Sequence, residues 1–384
     1  MNSPGRKIGI ALPLGLTVKA HTDFGGYCLA LAQLGHSPAI ICCSSDYREA
    51  AFPIIEATLS QMEDFHFWKD LQLEAVIFFN WLRYSRIVNA MKRAGLFVIS
   101  RGDTDGHASA RVFPQAAWLA LEDSNDGPLM WLRKRKYWVK RYLTLSVAED
   151  EDLINTLDYT DAAVIECDEA ARNLCRILAY YKRPDLERKL HVTPHSVFDE
   201  FLLQPMPGSR KPRTILCGGR WDDPQKDVRL LTATLDRLLK QQPDLPVVII
   251  GDGAAKLLEP LTRRRSAVRW LRAVPHKQVP ELLADCSVVV SSSRWEGYSI
   301  LALEALCMGC TLAAPPLPSF VSMAEDGRFG TISARRNSVS LADAVTRELE
   351  LWDSGSRNPL EIANIWRGRT SNNTVVSDLI SLIK

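Results

Sequence analysis

The sequence predicts an α/β protein built from two doubly wound domains in succession. Three observations carry this. The 384 residues suffice for two domains at roughly 100–200 residues each. Short apolar, β-rich runs alternate with helical patterns along the whole chain, the rhythm of strand–helix–strand crossovers in a parallel sheet. Residues 204–212 read Gln-Pro-Met-Pro-Gly-Ser-Arg-Lys-Pro, a break that reads as an interdomain linker.

In the first half, residues 8–12, 38–43, 75–79, 97–100 and 162–166 read as buried parallel strands, with helical patterns such as 27–34 and 84–94 between them. After the linker the strand-like runs are 214–218, 246–250, 268–271, 287–290 and 311–314, with helical patterns at 229–241 and 278–286. Residues 373–383 form a last amphipathic helix able to pack back on either domain. The expected division is 1–205, 206–365 and a C-terminal helical segment 366–384, placed on the first domain. Two such sheets facing one another would make a central cleft at the carboxyl ends of their strands, where ligands bind.

Composition sets further bounds. Hydrophobic residues make up 46% and charged residues 24%, ordinary for globular domains with real cores. The net charge of +2 argues neither for nor against nucleic acid, and no nucleic-acid partner is assigned. Residues 1–7 are short and polar, and Pro13 breaks the apolar run 8–16, so no secretory signal is expected. No stretch reaches ~18 uninterrupted apolar residues, so no spanning helix is expected. The nine cysteines include several in apolar segments (Cys42, Cys43, Cys217, Cys286), which suits reduced, buried thiols in a cytoplasmic protein. Cys307 and Cys310 form a lone C-x-x-C with no second pair, and no metal is assigned to it.

Chemistry belongs in the strand-to-helix loops. After strand 287–290 the chain runs through Gly297, Tyr298 and Ser299 into a helix. Backbone N–H groups and the helix dipole there suit a diphosphate. Glu304 lies among Leu301, Leu303, Ala305 and Leu306. Buried without a partner it would cost several kcal/mol. A ligand hydroxyl pair is one way to satisfy it, and a bond to a neighbouring loop is another. The earlier loop, Cys217-Gly-Gly-Arg220 through Lys226, sets two cations over a glycine turn. Phosphates suit them; solvated surface charge is the plainer reading.

Taken together, these loops make the chain resemble glycosyltransferase family 4, retaining enzymes of the GT-B fold. The resemblance rests on Gly219-Arg220…Lys226-Asp227, Val248-Ile-Ile-Gly-Asp-Gly253, Arg272-Ala-Val-Pro-His-Lys-Gln-Val-Pro-Glu-Leu-Leu283 and the E-x7-E pair Glu296…Glu304. It is close over residues 214–314. It implies two Rossmann-like domains facing a central cleft and a nucleotide-diphosphate sugar as donor, of UDP or GDP type, with no cofactor or metal beyond it. Arg220 and Lys226 would bind the diphosphate, Glu296 the sugar hydroxyls and Glu304 the ribose diol, while the backbone around Val274 would meet the base. The acceptor would be a glycan or a lipid-linked hydroxyl, in synthesis of a cell-surface polysaccharide or glycolipid.

The first half resembles the family more loosely. Gly25 and Gly26 stand where its glycine loop lets the backbone approach the transferring sugar. Where the family has a histidine near that sugar, this chain reads Arg101-Gly-Asp-Thr-Asp-Gly-His107, so Asp103, Asp105 and His107 are all candidates. Where the family has Pro-Asn-Gly-Val, this chain has Pro194-His-Ser-Val197, and no role is assigned. Rival readings are a GT-B-like nucleotide-sugar epimerase, which would isomerise its donor, and a non-catalytic carbohydrate- or nucleotide-binding protein. The loop Pro13-Leu-Gly-Leu-Thr17, which has no G-x-G-x-x-G, argues against a dinucleotide-dependent dehydrogenase.

One feature belongs to this sequence and not to the family. Residues 127–145 place six basic residues within Arg133 to Arg141. At helical spacing Trp131, Leu132, Trp138, Val139, Tyr142 and Leu143 share a face. Such a helix suits an anionic membrane surface, with a peripheral location on the inner face of the membrane. It equally suits plain packing of its apolar face on the first domain.

Overall fold

The structure, a computed structural model, describes residues 5–16, 23–45, 51–119 and 128–383. The chain divides into two compact units. The first is Met1–Pro114, Val139–Asp199 and Arg369–Lys384; the second is Gln115–Trp138 and Glu200–Gly368.

Among the described residues the main sheet of the first unit has seven strands: β1 (Lys7–Ala11), β2 (Ser37–Cys42), β3 (Ile54–Glu56), β4 (Ala75–Phe79), β5 (Phe97–Gly102), β6 (Ala162–Ile165) and β7 (Leu190–Val192). All neighbours pair in parallel, in the order β3-β2-β1-β4-β5-β6-β7. The apolar runs predict this because a parallel sheet covered on both faces needs hydrophobic residues on both. Alternate side chains divide between two cores. Ile8, Ile10, Ile40, Ile77 and Ile99 join Tyr27 and Leu31 on one face. Ile41, Val76, Phe78 and Val98 join Trp68, Ile87 and Met91 on the other.

The second unit repeats the plan with β8 (Ile215–Gly218), β9 (Val247–Ile250), β10 (Val268–Leu271), β11 (Val288–Val290), β12 (Thr311–Ala314) and β13 (Gly330–Ile332). Their order is β10-β9-β8-β11-β12-β13, again parallel. Ile215, Cys217, Val247, Ile249 and Val290 pack on Leu231, Leu235 and Leu238 of helix Val228–Gln241 and on Leu341, Val345 and Leu349 of helix Ser338–Asp353. Strand order reverses between β8 and β11, which is where doubly wound sheets take ligands.

The structure departs from the sequence reading in particular places. Strand ends move by one or two residues, and the short strands β3, β7 and β13 carry too little apolar pattern to be read. Helix Asn372–Ser381 inserts Val375, Val376 and Leu379, all fully buried, into the first core. Burial of such side chains contributes roughly 1.5–3 kcal/mol each as an upper bound, which is why residues from Arg369 onward group with the first unit. Gly25 and Gly26 lie inside helix Asp23–Gln33 and form no loop. Gly26 packs against the Asn372 side chain: a Cβ there would stand 2.6 Å from Asn372 Nδ2, so that side chain would have to shift. Asn372 itself donates to Asp199 Oδ1 at 3.0 Å.

The basic segment forms helix Pro128–Lys140, continued by a π-turn Arg141–Leu145, and residue 127 lies outside the described residues. The wider turn breaks the helical spacing expected to run to Leu143. Its residues up to Trp138 group with the second unit, contrary to the expected placement on the first.

Candidate active site

The site is assembled at the carboxyl edge of the second sheet, where three loops bond to one another. After β8, Gly219 N donates to Ile250 O at 3.2 Å and Trp221 N to Asp252 O at 2.8 Å. Gly251 has φ +102°, and a Cβ there would stand 2.0 Å from Gly219 O, so only glycine allows the β8 and β9 loops to touch. After β11, Arg294 N donates to Gln225 O at 2.8 Å and Ser292 Oγ to Lys226 O at 2.5 Å. The Ile250-Gly-Asp-Gly253 turn is thus one wall of the site.

Asp227 sets the position of Lys226. Its backbone takes φ +41° and its carboxylate caps helix Val228–Gln241 through Leu230 N. The same carboxylate accepts from Arg294 Nε at 3.3 Å and pairs with Arg336. Lys226 then runs over Gly219, where a Cβ would lie 3.0 Å from its Cγ, and its Nζ meets Glu296 Oε1 at 2.5 Å. Glu296 is buried, and Ser293 Oγ and Gln225 Nε2 also donate to it, at 2.6 and 3.2 Å. Arg220 stands in solvent with its side chain 78% exposed, paired with Asp223 at 2.9 Å. Two of the expected site cations therefore differ in kind: one is fixed and half-desolvated, the other is able to swing to a ligand.

Gly297, Tyr298 and Ser299 lead into helix Ile300–Cys307, capped by Ser299 with no side-chain bond to the first turn. Tyr298 and Ser299 are buried. The first amides of such a helix have no intrahelical acceptor and carry the positive end of its dipole. Gly218 lets this helix approach, since a Cβ there would stand 2.4 Å from Leu301 Cδ2. Glu304, on the same helix, is buried and bonded to His276 Nε2 at 2.7 Å. His276 also bonds Glu200 through Nδ1. Val274 is half-buried in the loop just before His276.

In the first unit Asp105 and His107 tie each other down. His107 N and Nδ1 bond Asp105 at 2.9 and 3.1 Å, and Asn173 Nδ2 lies 3.3 Å from His107 Nε2. Asp103 is exposed. Beside it lies a buried pair absent from the sequence reading: Arg101 Nε and Glu166 Oε1 are 4.0 Å apart, both side chains 1% exposed. Arg101 donates to Pro194 O at 2.8 Å, while among the described residues no side chain donates a hydrogen bond to Glu166. Desolvation holds the Glu166 carboxyl well above the usual carboxylate range, and Arg101 opposes that. The alternation of β5 and β6 places both residues on the face of Val164, a signal available in the sequence once the strands are known.

Residues 212–350 match the family model for glycosyl transferases group 1. These residues are a group 1 glycosyltransferase domain. The domain covers β8 to β13 and every second-unit site residue named above except Glu200. A phosphatidyl-myo-inositol mannosyltransferase of Propionibacterium freudenreichii is 31% identical over 134 residues, 34% of this chain and 33% of the relative. A glycogen synthase of Mycobacterium tuberculosis is 28% identical over 150 residues, 37% and 36% of the two chains. The matched stretch thus spans about a third of each relative. Over the whole chain the fold is GT-B. A glycosyltransferase from Rickettsia africae superposes with TM-score 0.66 at 14% identity, covering 99% of this chain and 98% of that one. Anabaena HepE in complex with UDP and glucose superposes with TM-score 0.64 at 13% identity, covering 98% of each chain.

Gln225, Ser293, Asp227, Arg294, Arg336 and His276 were not singled out by the sequence reading. Each acts through a partner between 28 and 109 positions away, apart from Ser293, three residues from Glu296 and open to local reading.

Proposed function

We propose that the chain is a retaining glycosyltransferase that moves a sugar from a UDP- or GDP-type donor to a hydroxyl of a glycan or lipid-linked acceptor. The observation that carries this is the joining of Lys226, Glu296 and the helix start at Ile300 by mutually bonded loops at the strand-order reversal of a group 1 domain. Arg220 and Lys226 bind the diphosphate, and Glu304 binds the ribose. Glu296 orders the donor sugar. The acceptor hydroxyl attacks the anomeric carbon on the face of the departing diphosphate, whose oxygen takes the proton. Lys226, Arg220 and the helix dipole stabilise the charge that grows on the leaving group. In this reading Lys226 and Arg220 do at the diphosphate the work a metal would do, and no metal or further cofactor is proposed.

The acceptor reading draws on the lipid-modifying relative and on helix Pro128–Lys140. No side chain of that helix is buried, and Leu129, Leu132 and Leu143 beyond it are 71%, 58% and 61% exposed. Apolar and basic side chains offered together suit the headgroup layer of an anionic membrane. All nine cysteines are free thiols, which fits the cytoplasmic face. No described helix is long and apolar enough to cross a membrane.

The test is turnover. The full chain is incubated with UDP- and GDP-sugars and candidate acceptors in excess chelator, and the product is read by NMR. A glycoside with the donor's anomeric configuration supports the reading. An inverted product, an isomerised donor, or activity restored only by added divalent metal contradicts it.

A further inference from the structure

We propose that His276, as an imidazolium, is the positioning residue that holds Glu304 ionised and aimed for the ribose diol, with Glu200 as its anchor. The inference rests on the reading of Glu304 as the ribose ligand. Its basis is geometric. His276 Nε2 lies 2.7 Å from Glu304 Oε1, and Nδ1 bonds Glu200 Oε1. A neutral imidazole has one N–H and cannot donate to two carboxylates; the imidazolium donates to both.

Burial explains why Glu304 needs it. The Glu304 side chain is 4% exposed, on a helix whose Leu303, Ala305 and Leu306 are fully buried. An isolated carboxylate there would take up a proton. A protonated carboxyl accepts hydrogen bonds poorly and would not serve two ribose hydroxyls. His276 reaches in from the solvent side with its side chain 45% exposed. Fully buried Phe201 sets its ring edge-on at 5.4 Å, next to Glu200 on the short helix Asp199–Leu202.

Among the described residues, Glu304 from its helix and Glu200 from the segment opposite both face the ring. The hydrogen bond to Glu304 leads in raising the His276 pKa above 6.5, with Glu200 adding to it and desolvation opposing. The sign follows. The imidazolium, and with it the pair of donated bonds that aim Glu304 at the ribose, is present at low pH and lost as pH rises through the raised value.

The experiment compares affinities of the full chain for UDP and 2′,3′-dideoxy-UDP, and for the guanosine pair, from pH 6 to 9. The ratio within a pair cancels titration of the phosphates. Wild type should prefer the ribonucleotide about 5- to 10-fold at low pH, one hydrogen-bonded contact, with the preference shrinking as pH rises. His276→Ala should lose the preference while binding the dideoxy compound as wild type does. His276→Gln keeps a donor without a titrating charge, so it should retain part of the preference with a flat pH profile. If Glu304→Ala loses the preference but His276→Ala keeps it with its pH dependence, the inference is overturned and the ribose reading stands. If wild type shows no preference at any pH, the ribose reading itself falls.

Discussion

Lys226 and Glu296, proposed to serve opposite ends of the donor, form one ion pair at 2.5 Å. Glu296 is also held by Ser293 and Gln225. Removing Glu296 therefore releases the lysine without removing it. Glu296→Ala should keep affinity for bare nucleoside diphosphate while turnover falls at least tenfold. Lys226→Ala should lose both and, because a buried carboxylate is left short of its cation, destabilise by about 1–3 kcal/mol. Calorimetry and denaturant melts on the two variants and their double mutant check this; equal loss of nucleotide affinity in both single variants would show that the two residues do not divide the work.

Gly26→Ala reverses a normal rule. Within a helix the change ordinarily gains about 1 kcal/mol, but here the new methyl meets Asn372 Nδ2 at 2.6 Å. A net loss of about 1–3 kcal/mol is expected, read by urea unfolding. The double variant Gly26→Ala/Asn372→Gly should recover part of it. A stabilised Gly26→Ala would mean that helix Asn372–Ser381 yields freely.

The Arg101–Glu166 pair should show the asymmetry of buried charges. Glu166→Leu leaves the Arg101 charge alone in the interior, at a cost of about 3–5 kcal/mol, whereas Arg101→Leu leaves a carboxyl that burial already pushes toward its neutral form and should cost less. The joint replacement should cost less than either single one. Additive losses by denaturant melt would show that the two groups do not compensate one another.

Helix Pro128–Lys140 should bring the chain to anionic vesicles. Co-sedimentation should require anionic lipid and fall with salt. Gln in place of Arg133, Lys134, Lys136, Lys140 and Arg141 should abolish it, with at most a small fall in melting temperature from the lost Arg141–Glu149 pair. No sedimentation at low salt contradicts a membrane role.

The two sheets and their loops were readable because parallel strands are long apolar runs and because glycine has few other reasons to follow them. Val268–Leu271 and Ala75–Phe79 coincide with the strands read from pattern alone. Gly25 and Gly26 look in sequence like a glycine loop, whereas the structure sets them in the first turns of helix Asp23–Gln33, with Gly26 against Asn372. His276 and Glu304 are 28 residues apart, and Asp227 and Arg336 are 109 apart. Such pairs depend on which strand ends lie side by side, and no local periodicity records that. Glu166 looked like the end of an apolar strand, and only its burial beside Arg101 sets it apart.

The central claim is that the β8 and β11 loops hold a diphosphate, and calorimetry of UDP and GDP against wild type, Arg220→Ala and Lys226→Ala tests it most directly. The account predicts binding of one nucleotide by wild type and a loss of about 1.5–3 kcal/mol in each variant, the scale of a charge-assisted bond. Unchanged affinity in both variants would contradict it.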